Sequence, residues 1–255
     1  MRVIRNTGYI KRRKRLAGWS AFFGFVLLAS TFFLVLSPRL IVFAYALLFT
    51  GFILFNFGMQ QVGKWRRNPR NDVLLDERLK HLSDKYTLIH YATFGRKAVE
   101  HMLIHPGGVL VLTARELPGE IVAPGNRWRR KGLGLTRLFG LSGPQLGNPS
   151  YETRQSIATV EGQLTNAQLE VDIEGAIAFL NPTVRLDADD TDYPALTADE
   201  LAEFVRTLPP DASLKPTERQ AVVDALAKGE QLEVSEQKVA RRPVRTKRPV
   251  KKRAA

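Results

Sequence analysis

The sequence predicts an α/β protein that begins with a hairpin of two transmembrane helices. Three observations support this class: two long uncharged segments near the start, alternating helix and strand patterns after residue 72, and positive charge at both ends of the chain. The 255 residues include no cysteine. A disulfide framework, a thiolate zinc site and a cysteine nucleophile are therefore excluded.

Positive charge is concentrated in the two ends of the chain. Residues 1–75 hold 12 basic side chains and 1 acidic one, and residues 237–255 hold 9 basic and no acidic ones. Residues 76–236 hold 17 basic and 24 acidic side chains, a net charge of −7. A basic DNA-binding domain therefore does not account for the overall charge of +13.

Two apolar segments, 17–36 and 40–59, each contain 20 residues without a charge. A helix of this length spans about 30 Å, the thickness of the hydrocarbon core of a bilayer. Neither segment has the polar face of a helix in a soluble protein. A cleaved signal peptide is the alternative, but its apolar region would be about 7–15 residues long and no second one would follow. The sequence therefore predicts transmembrane helices 1 and 2, joined by a tight turn at Pro38.

Basic residues flank these two spans on one side only. The N-terminus, residues 1–16, carries 7 basic side chains, the connector at residues 60–71 carries 4, and the turn between the spans has Arg39 alone. The positive-inside rule then predicts a multi-pass protein of the cell membrane with both termini in the cytoplasm. We expect the lipid bilayer and its anionic head groups to be partners of the chain. The sequence names no protein partner.

Residues 72–230 have the pattern of a folded cytoplasmic domain. Apolar spacing and capping signals predict one helix, three strands, a second helix, a fourth strand and two final helices, an α/β layered order. Thr197 with Glu200 forms a capping box. The predicted helices are 72–84, 148–168, 198–207 and 217–229, the main strands are 86–91, 99–104, 109–113 and 176–180, a short edge strand covers 120–123, and a loop covers 125–147. Residues 235–255 lack apolar periodicity and are predicted to be a disordered basic tail.

Four sequence motifs occur in an order that resembles a known family. Asp76-Glu77 opens the first helix, the pattern Glu100-His101 is followed by an apolar strand and His-Pro-Gly-Gly at residues 105–108, residues 113–119 end on glycine, and Asn148-Pro149 opens the second helix. Residues 76–207 thereby resemble the nuclease-related domain, NERD, a branch of the PD-(D/E)xK fold. The resemblance implies a restriction-endonuclease-like αβββαβ core with C-terminal helices.

The same resemblance implies which residues would carry nuclease chemistry. Such a site needs two acids on adjacent strands to hold Mg²⁺, and a lysine beside them. Here the first acid is Glu100, one methylene longer than the usual aspartate, and the second acid is replaced by Thr113, a poor ligand for Mg²⁺. Arg115 replaces the lysine and keeps its charge, but it does not act as a base. These positions, with Glu77 on the first helix, are interpreted as vestigial, and Glu77 and Glu100 remain weak candidates for a metal.

Neighbouring acids do not repair this pattern. Strand alternation predicts that Glu116 points away from the face of Thr113 and Arg115. The glutamine that the family carries in the second helix is Glu152 here, and Gln155 follows on the same face. We expect Glu100 to form a salt bridge with Arg115.

Three other signals carry alternative interpretations. A basic and aromatic patch could track a nucleic-acid backbone, with Trp128 stacked on a base, or it could lie against an anionic membrane; its members are Arg127, Trp128, Arg129, Arg130, Lys131 and Arg137. Alternating aspartates from Asp187 resemble a calcium loop but lack its glycine and its final glutamate, which favours a solvated turn. His101 is interpreted as structural and His105 as part of a turn.

The sequence therefore favours a membrane-anchored NERD-like protein with a degenerate site and a binding or scaffold role that needs no cofactor. The first alternative is an active, membrane-tethered DNA nuclease, the one case that requires Mg²⁺. The second alternative is a nucleic-acid-binding module that uses the tail and residues 127–137.

Overall fold

A computed structural model of the chain describes residues 1–132, 145–210 and 214–236. Among these residues the strands are β1 (Arg2–Asn6), β2 (Thr87–Phe94), β3 (Lys97–His105), β4 (Gly108–Arg115), β5 (Gly119–Val122), β6 (Arg129–Arg130), β7 (Ile173–Phe179), β8 (Val184–Asp187), β9 (Ala195–Thr197) and β10 (Leu232–Glu236). The α-helices are α1 (Thr7–Leu34), α2 (Ile41–Trp65), α3 (Asn71–Leu79), α4 (Pro149–Asn166), α5 (Leu201–Thr207) and α6 (Pro216–Leu226). The α/β class and the order of the predicted main elements are confirmed.

The large sheet has seven strands in the order β10-β1-β2-β3-β4-β7-β9. Strands β2, β3 and β4 form an antiparallel meander, and β7 adds in parallel to β4 after the α4 crossover. Strands β6, β5 and β8 form a second, smaller sheet. The segment predicted as an edge strand, residues 120–123, corresponds to β5 and is the central strand of that small sheet, because β6 and β8 pair on its two sides.

Helices cover both faces of the large sheet. On one face, Leu75 and Leu79 of α3 pack with Leu201 of α5 against alternate residues of the strands, including Leu103 and Leu110. On the other face, Val160 and Leu164 of α4 and Val222 of α6 pack against Val109 and Val111 of β4. The alternation of β4 places these residues and those at 113 and 115 on the α4 face.

Helices α1 and α2 are long and apolar enough to cross a membrane, as the sequence predicts. A 3₁₀ turn, Pro38–Leu40, joins them, and glycines allow their backbones to approach closely. A Cβ added at Gly24 would overlap the backbone of Phe55, and one at Gly58 would overlap the backbone of Ala21. Large apolar side chains on the outer surface of the pair are exposed. Helix α1 begins at Thr7, before the start of the predicted span 17–36, and therefore includes the basic stretch that precedes the span.

The N-terminal segment, predicted as a basic extension over residues 1–16, contains a strand of the large sheet. β1 pairs in parallel with β2 and antiparallel with β10, and its Val3 and Ile4 are buried on opposite faces. Residues 235 and 236 of the predicted disordered tail belong to β10, whereas residues 237–255 lie outside the described part of the chain. Five-residue strands next to charged stretches carry little periodic signal, so only the pairing across the chain reveals them.

Candidate functional site

The three positions that would carry nuclease chemistry lie together at one end of β3 and β4. Thr113 and Arg115 share the face of β4 that carries Val111, and both contact helix α4. Glu100 of β3 lines a groove with Gln155 of that helix. The fold thus brings Glu100, Thr113 and Arg115 to one region beneath α4, as the resemblance implies.

Glu100 is paired with a lysine from the second apolar helix. Lys64 Nζ lies 2.5 Å from Glu100 Oε1, and the two side chains are 43% and 29% exposed. Burial opposes the charge of Glu100. The charge of Lys64, with smaller contributions from His101, Arg115 and the hydrogen bond of Lys64, outweighs burial and lowers the pKa of Glu100 to about 2. The prediction of a salt bridge between Glu100 and Arg115 is wrong. Lys64 lies beside the carboxylate of Glu100, and Arg115 pairs with Glu152.

Thr113, at the position where the resemblance implies the second acid, uses its hydroxyl inside the core. Its Oγ1 lies 2.7 Å from Oγ1 of Thr153 on α4, and Thr153 donates to the carbonyl oxygen of Pro149 at 2.9 Å. Thr113 is buried. This side chain therefore bridges strand to helix as a neutral group, where a nuclease would have a carboxylate free to bind a cation.

Arg115, at the position where the resemblance implies the lysine, is held by three acceptors. Its Nε donates to the carbonyl oxygen of Leu146 at 3.0 Å, its Nη1 to that of Ala114 at 3.1 Å, and its Nη2 lies 2.5 Å from Glu152 Oε1. A guanidinium has the fork of donors that such an arrangement needs, whereas a lysine has a single ammonium group. Arg115 is thus fitted to join β4, α4 and the segment before α4.

A cleft of about 350 Å³ opens beside Arg115, at the end of α2. Lys64, Arg67, Glu116 and Glu152 line it. Glu116 follows the last residue of β4, so strand alternation does not govern its direction, and its carboxylate forms an ion pair with Arg67. Glu116 and Arg115 line the same cleft, and the expectation that Glu116 points away from the face of Thr113 and Arg115 stays a prediction.

A second groove of about 370 Å³ runs between β3 and α4. It is lined by Glu100, Glu152 and Gln155, so two carboxylates face one space. Each of them already has a cationic partner, Lys64 or Arg115. The described residues include no group of three or more acidic or histidine side chains arranged to hold a metal. The donor set at this site does not fit Mg²⁺, because lysine and arginine occupy the positions next to the oxygens.

Glu77, the remaining vestigial position, is exposed on α3. The same helix directs two other acids inward. Asp72 is fully buried and contacts both Arg5 and Arg70, at 2.8 Å each. Burial opposes its charge, but the hydrogen bonds and the charge of Arg70 lower its pKa. Asp76 forms an ion pair with Arg5, so the acids of α3 bind β1 instead of facing Glu100.

Two histidines continue this buried network. His90 Nε2 lies 2.9 Å from Asp76 Oδ1, and His90 Nδ1 lies 2.8 Å from His101 Nδ1. His101 is fully buried, and its Nε2 has no hydrogen-bond partner in the described structure. Burial lowers the pKa of His101 to about 3. The network is therefore an internal connection between α3, β2 and β3.

An aromatic cluster beside this network attaches the apolar helices to the sheet. Tyr9 of α1, Trp65 of α2 and Tyr91 of β2 contact one another, with ring centroids 5.3–5.9 Å apart. Asn6 caps α1 by accepting from the backbone of Tyr9, and it donates to the carbonyl oxygen of Tyr91 at 3.1 Å. β1 runs directly into α1, and α2 ends at Trp65 of this cluster. The helix pair is therefore fixed to the domain at the start of α1 and at the end of α2.

The His-Pro-Gly-Gly motif is structural in this chain. His105 is the last residue of β3, and its Nδ1 accepts from the backbone of Gly107 at 3.2 Å. Burial lowers the pKa of His105 to about 4. A Cβ on Gly107 would overlap the carbonyl oxygen of Pro209, and one on Gly108, whose φ is +156°, would overlap that of Asp172. The glycines thus let two loops pack against the hairpin.

The predicted basic patch is partly used inside the fold. Trp128 packs on Phe179 with ring centroids 5.6 Å apart, and its Nε1 donates to Ser150 at 2.8 Å. Lys131 forms an ion pair with Glu120. Arg127 and Arg129 are exposed and Arg130 is half-buried on β6, whereas Arg137 lies outside the described residues. Asp192, part of the suspected calcium loop, is paired with Arg154.

Sequence reasoning missed the residues that occupy the site from other elements. Lys64 was assigned to a basic connector, and Arg5 to a basic terminus, because nothing local links them to Glu100 or Asp72. Asp72 and Asp76 did carry a signal, since their four-residue spacing places them on one helical face between the leucines of α3.

Comparison with protein-family models gives a match in the central region of the chain. The family model described as the nuclease-related domain, NERD, matches residues 70–180. No curated protein and no solved structure matches the chain. The matched residues run from the start of α3 to the end of β7 and include all four vestigial positions.

Proposed function

Because residues 70–180 match the family model of the nuclease-related domain, we propose that the chain is a membrane-anchored, nuclease-related protein whose site does not cleave. Its role is then binding or scaffolding at the membrane surface. The observation that carries the proposal is that each position of the site is already engaged: Glu100 with Lys64, Thr113 with Thr153, and Arg115 with Glu152.

The chemistry of phosphodiester cleavage supports this interpretation. A divalent cation that activates water needs oxygen ligands from at least two side chains in the correct geometry. At this site the ammonium of Lys64 already compensates the charge of Glu100, and the neighbouring strand offers only a hydroxyl. A metal would have to displace Lys64 and would still lack the second carboxylate.

The helix pair supports membrane anchoring. Its outer surface carries exposed phenylalanine, leucine and valine side chains, which a bilayer would cover. The domain and strand β1 lie at the same end of the pair, where 11 basic residues flank the spans. By the positive-inside rule we assign this end to the cytoplasm and the turn at Pro38 to the opposite side.

A DNA-nicking assay tests the absence of catalysis. The full chain, purified in lipid nanodiscs, is incubated with supercoiled plasmid and Mg²⁺ or Mn²⁺, beside Glu100→Ala and the double variant Thr113→Glu/Arg115→Lys. We expect no nicking by the unmodified chain and a gain of metal-dependent nicking in the double variant. Nicking by the unmodified chain that Glu100→Ala abolishes would show that the site is active.

Labelling of single cysteines tests the topology. Since the chain has no cysteine, Ser37→Cys in the turn and Asp84→Cys after α3 each provide one reactive thiol. A membrane-impermeant maleimide applied to intact cells should label Ser37→Cys only. Labelling of Asp84→Cys alone would reverse the orientation, and equal labelling of both would contradict a membrane hairpin.

The one observation that favours an active nuclease is the groove shared by Glu100, Glu152 and Gln155. In that case Glu152 of α4 would replace the missing strand acid. The two hypotheses differ in the variant Glu152→Gln: it would abolish nicking by an active enzyme, whereas a site without catalysis shows no nicking with or without the substitution.

A further inference from the structure

A groove lies where α1 and α2 meet the predicted membrane surface. It has a volume of about 370 Å³ and is lined by Arg15, Gly18, Trp19, Phe22 and Arg66. Arg66 reaches across from the end of α2 and lies on Gly18, where an added Cβ would stand 2.8 Å from its Nη2. Glycine at position 18 thus leaves room for the guanidinium against the first helix.

Two arginines supply the positive charge of this groove. Within the described residues neither Arg15 nor Arg66 forms an ion pair, and both are exposed. Five other basic side chains at this end of the helices have an acidic partner: Arg5 with Asp72 and Asp76, Arg12 with Glu230, Lys64 with Glu100, Arg67 with Glu116, and Arg70 with Asp72. The protein therefore leaves two positive charges in one groove without a counter-charge.

The remaining walls of the groove are apolar and are directed outward. Trp19 is 53% exposed and Phe22 is 55% exposed, and Trp19 contacts both Phe22 and Phe23. The uncharged segment begins at Ala17, between Arg15 and Trp19. In a bilayer this places the arginines at the level of the head groups and the aromatic rings at the start of the acyl chains.

We propose that this groove is a binding site for one anionic phospholipid. Its phosphate lies between the guanidinium groups of Arg15 and Arg66, and an acyl chain lies along Trp19 and Phe22. Arginine binds phosphate through paired N–H donors, and the apolar wall favours a lipid over a soluble phosphate. The site rests on the proposed membrane anchoring, since its apolar wall of Trp19 and Phe22 would otherwise face water.

Quenching of Trp19 by acyl-brominated lipids tests this site in the full chain. Trp65 is buried and Trp128 packs on Phe179, so neither is directed toward lipid. The chain is reconstituted in phosphatidylcholine vesicles that contain a low fraction of brominated phosphatidylglycerol, or the same fraction of brominated phosphatidylcholine. We expect stronger quenching by phosphatidylglycerol, and loss of most quenching in Trp19→Phe. Soluble glycerol 3-phosphate should not compete.

The variants Arg15→Gln and Arg66→Gln are each expected to lower the preference for phosphatidylglycerol about fivefold. The matched control is Lys14→Gln, which removes a neighbouring charge that does not line the groove and should change the preference less than twofold. Equal effects of all three variants would indicate only general attraction to the surface and would overturn the site. So would competition by glycerol 3-phosphate, or equal quenching by the two lipids in vesicles that retain the protein.

Failure of the chain to float with vesicles is a separate outcome. It would contradict the membrane anchoring itself, and the lipid site with it. Retention in vesicles with no lipid preference would leave the anchoring intact and reject the site alone.

Discussion

The two faces of the large sheet use charged residues in different ways. On the α3 face, Asp72 is fully buried between Arg5 and Arg70. On the α4 face, the pairs of Glu100 with Lys64 and of Glu152 with Arg115 are partly open to solvent. Buried charges are costly to leave unpaired, whereas exposed pairs contribute little. The comparison indicates that the ion pairs of Asp72 and Asp76 with Arg5 and Arg70, the α3 network, hold the fold together. The pairs of Glu100 and Glu152 contribute less.

The α3 network also explains how the helix pair is attached. Arg5 belongs to β1, which directly precedes α1, and its two acidic partners lie on α3, which follows α2. The ion pairs therefore join the chain before the helix pair to the chain after it. A helix pair joined to the domain by flexible linkers would not need these ion pairs.

The largest expected loss of stability follows from removing Arg5, which pairs with both Asp72 and Asp76. Arg5→Ala leaves Asp76 without its cation and Asp72 with only one, so we expect a loss of about 3 kcal/mol in the free energy of unfolding. The measurement is chemical denaturation of the full chain in detergent, followed by tryptophan fluorescence. Arg2→Ala, in the same strand, is the control and should cost less than about 0.5 kcal/mol. Similar losses in both variants would contradict the special role of Arg5.

A smaller loss in the free energy of unfolding is expected when low pH protonates Glu100. The pKa of Glu100 in the folded chain is about 2, below its ordinary value of 4.5. The ionised form is thus favoured by folding, so its stabilisation is complete above pH 4.5 and is lost as the pH falls toward 2. With screening of the partly exposed pair, we expect this stabilisation to be about 1 kcal/mol. The free energy of unfolding, measured at several pH values in this range, should depend less on pH in Glu100→Gln than in the unmodified chain. An equal pH dependence in the two chains would show that Lys64 does not stabilise the carboxylate.

The smallest effect is expected for the other pair of the site. Glu152 is 46% exposed, so Glu152→Gln should lower the free energy of unfolding by no more than about 0.5 kcal/mol. Glu161→Gln, an exposed position on the same helix, provides the baseline in the same denaturation experiment. A loss above about 1 kcal/mol relative to that baseline would place this pair with the buried network and remove the difference between the two faces.

Much of the vestigial site follows from local sequence. The order of Glu100, His-Pro-Gly-Gly, Thr113 and Arg115 places these residues on two neighbouring strands, because a tight turn joins antiparallel strands in a fixed register. Their partners do not follow in the same way. Lys64 is 36 residues from Glu100, and Glu152 is 37 residues from Arg115, so neither contact belongs to a local motif.

The sequence alone determined the apolar helix pair and the alternation of helices and strands in the central region, because each depends on residue types at short spacing. Tertiary structure decided where the ends of the domain lie. Strands β1 and β10 are too short to be recognised singly, and they exist as strands because they complete each other's hydrogen bonds beside β2. It also decided which cation each acid binds, since ion pairs depend on the distance between elements that the chain order does not fix.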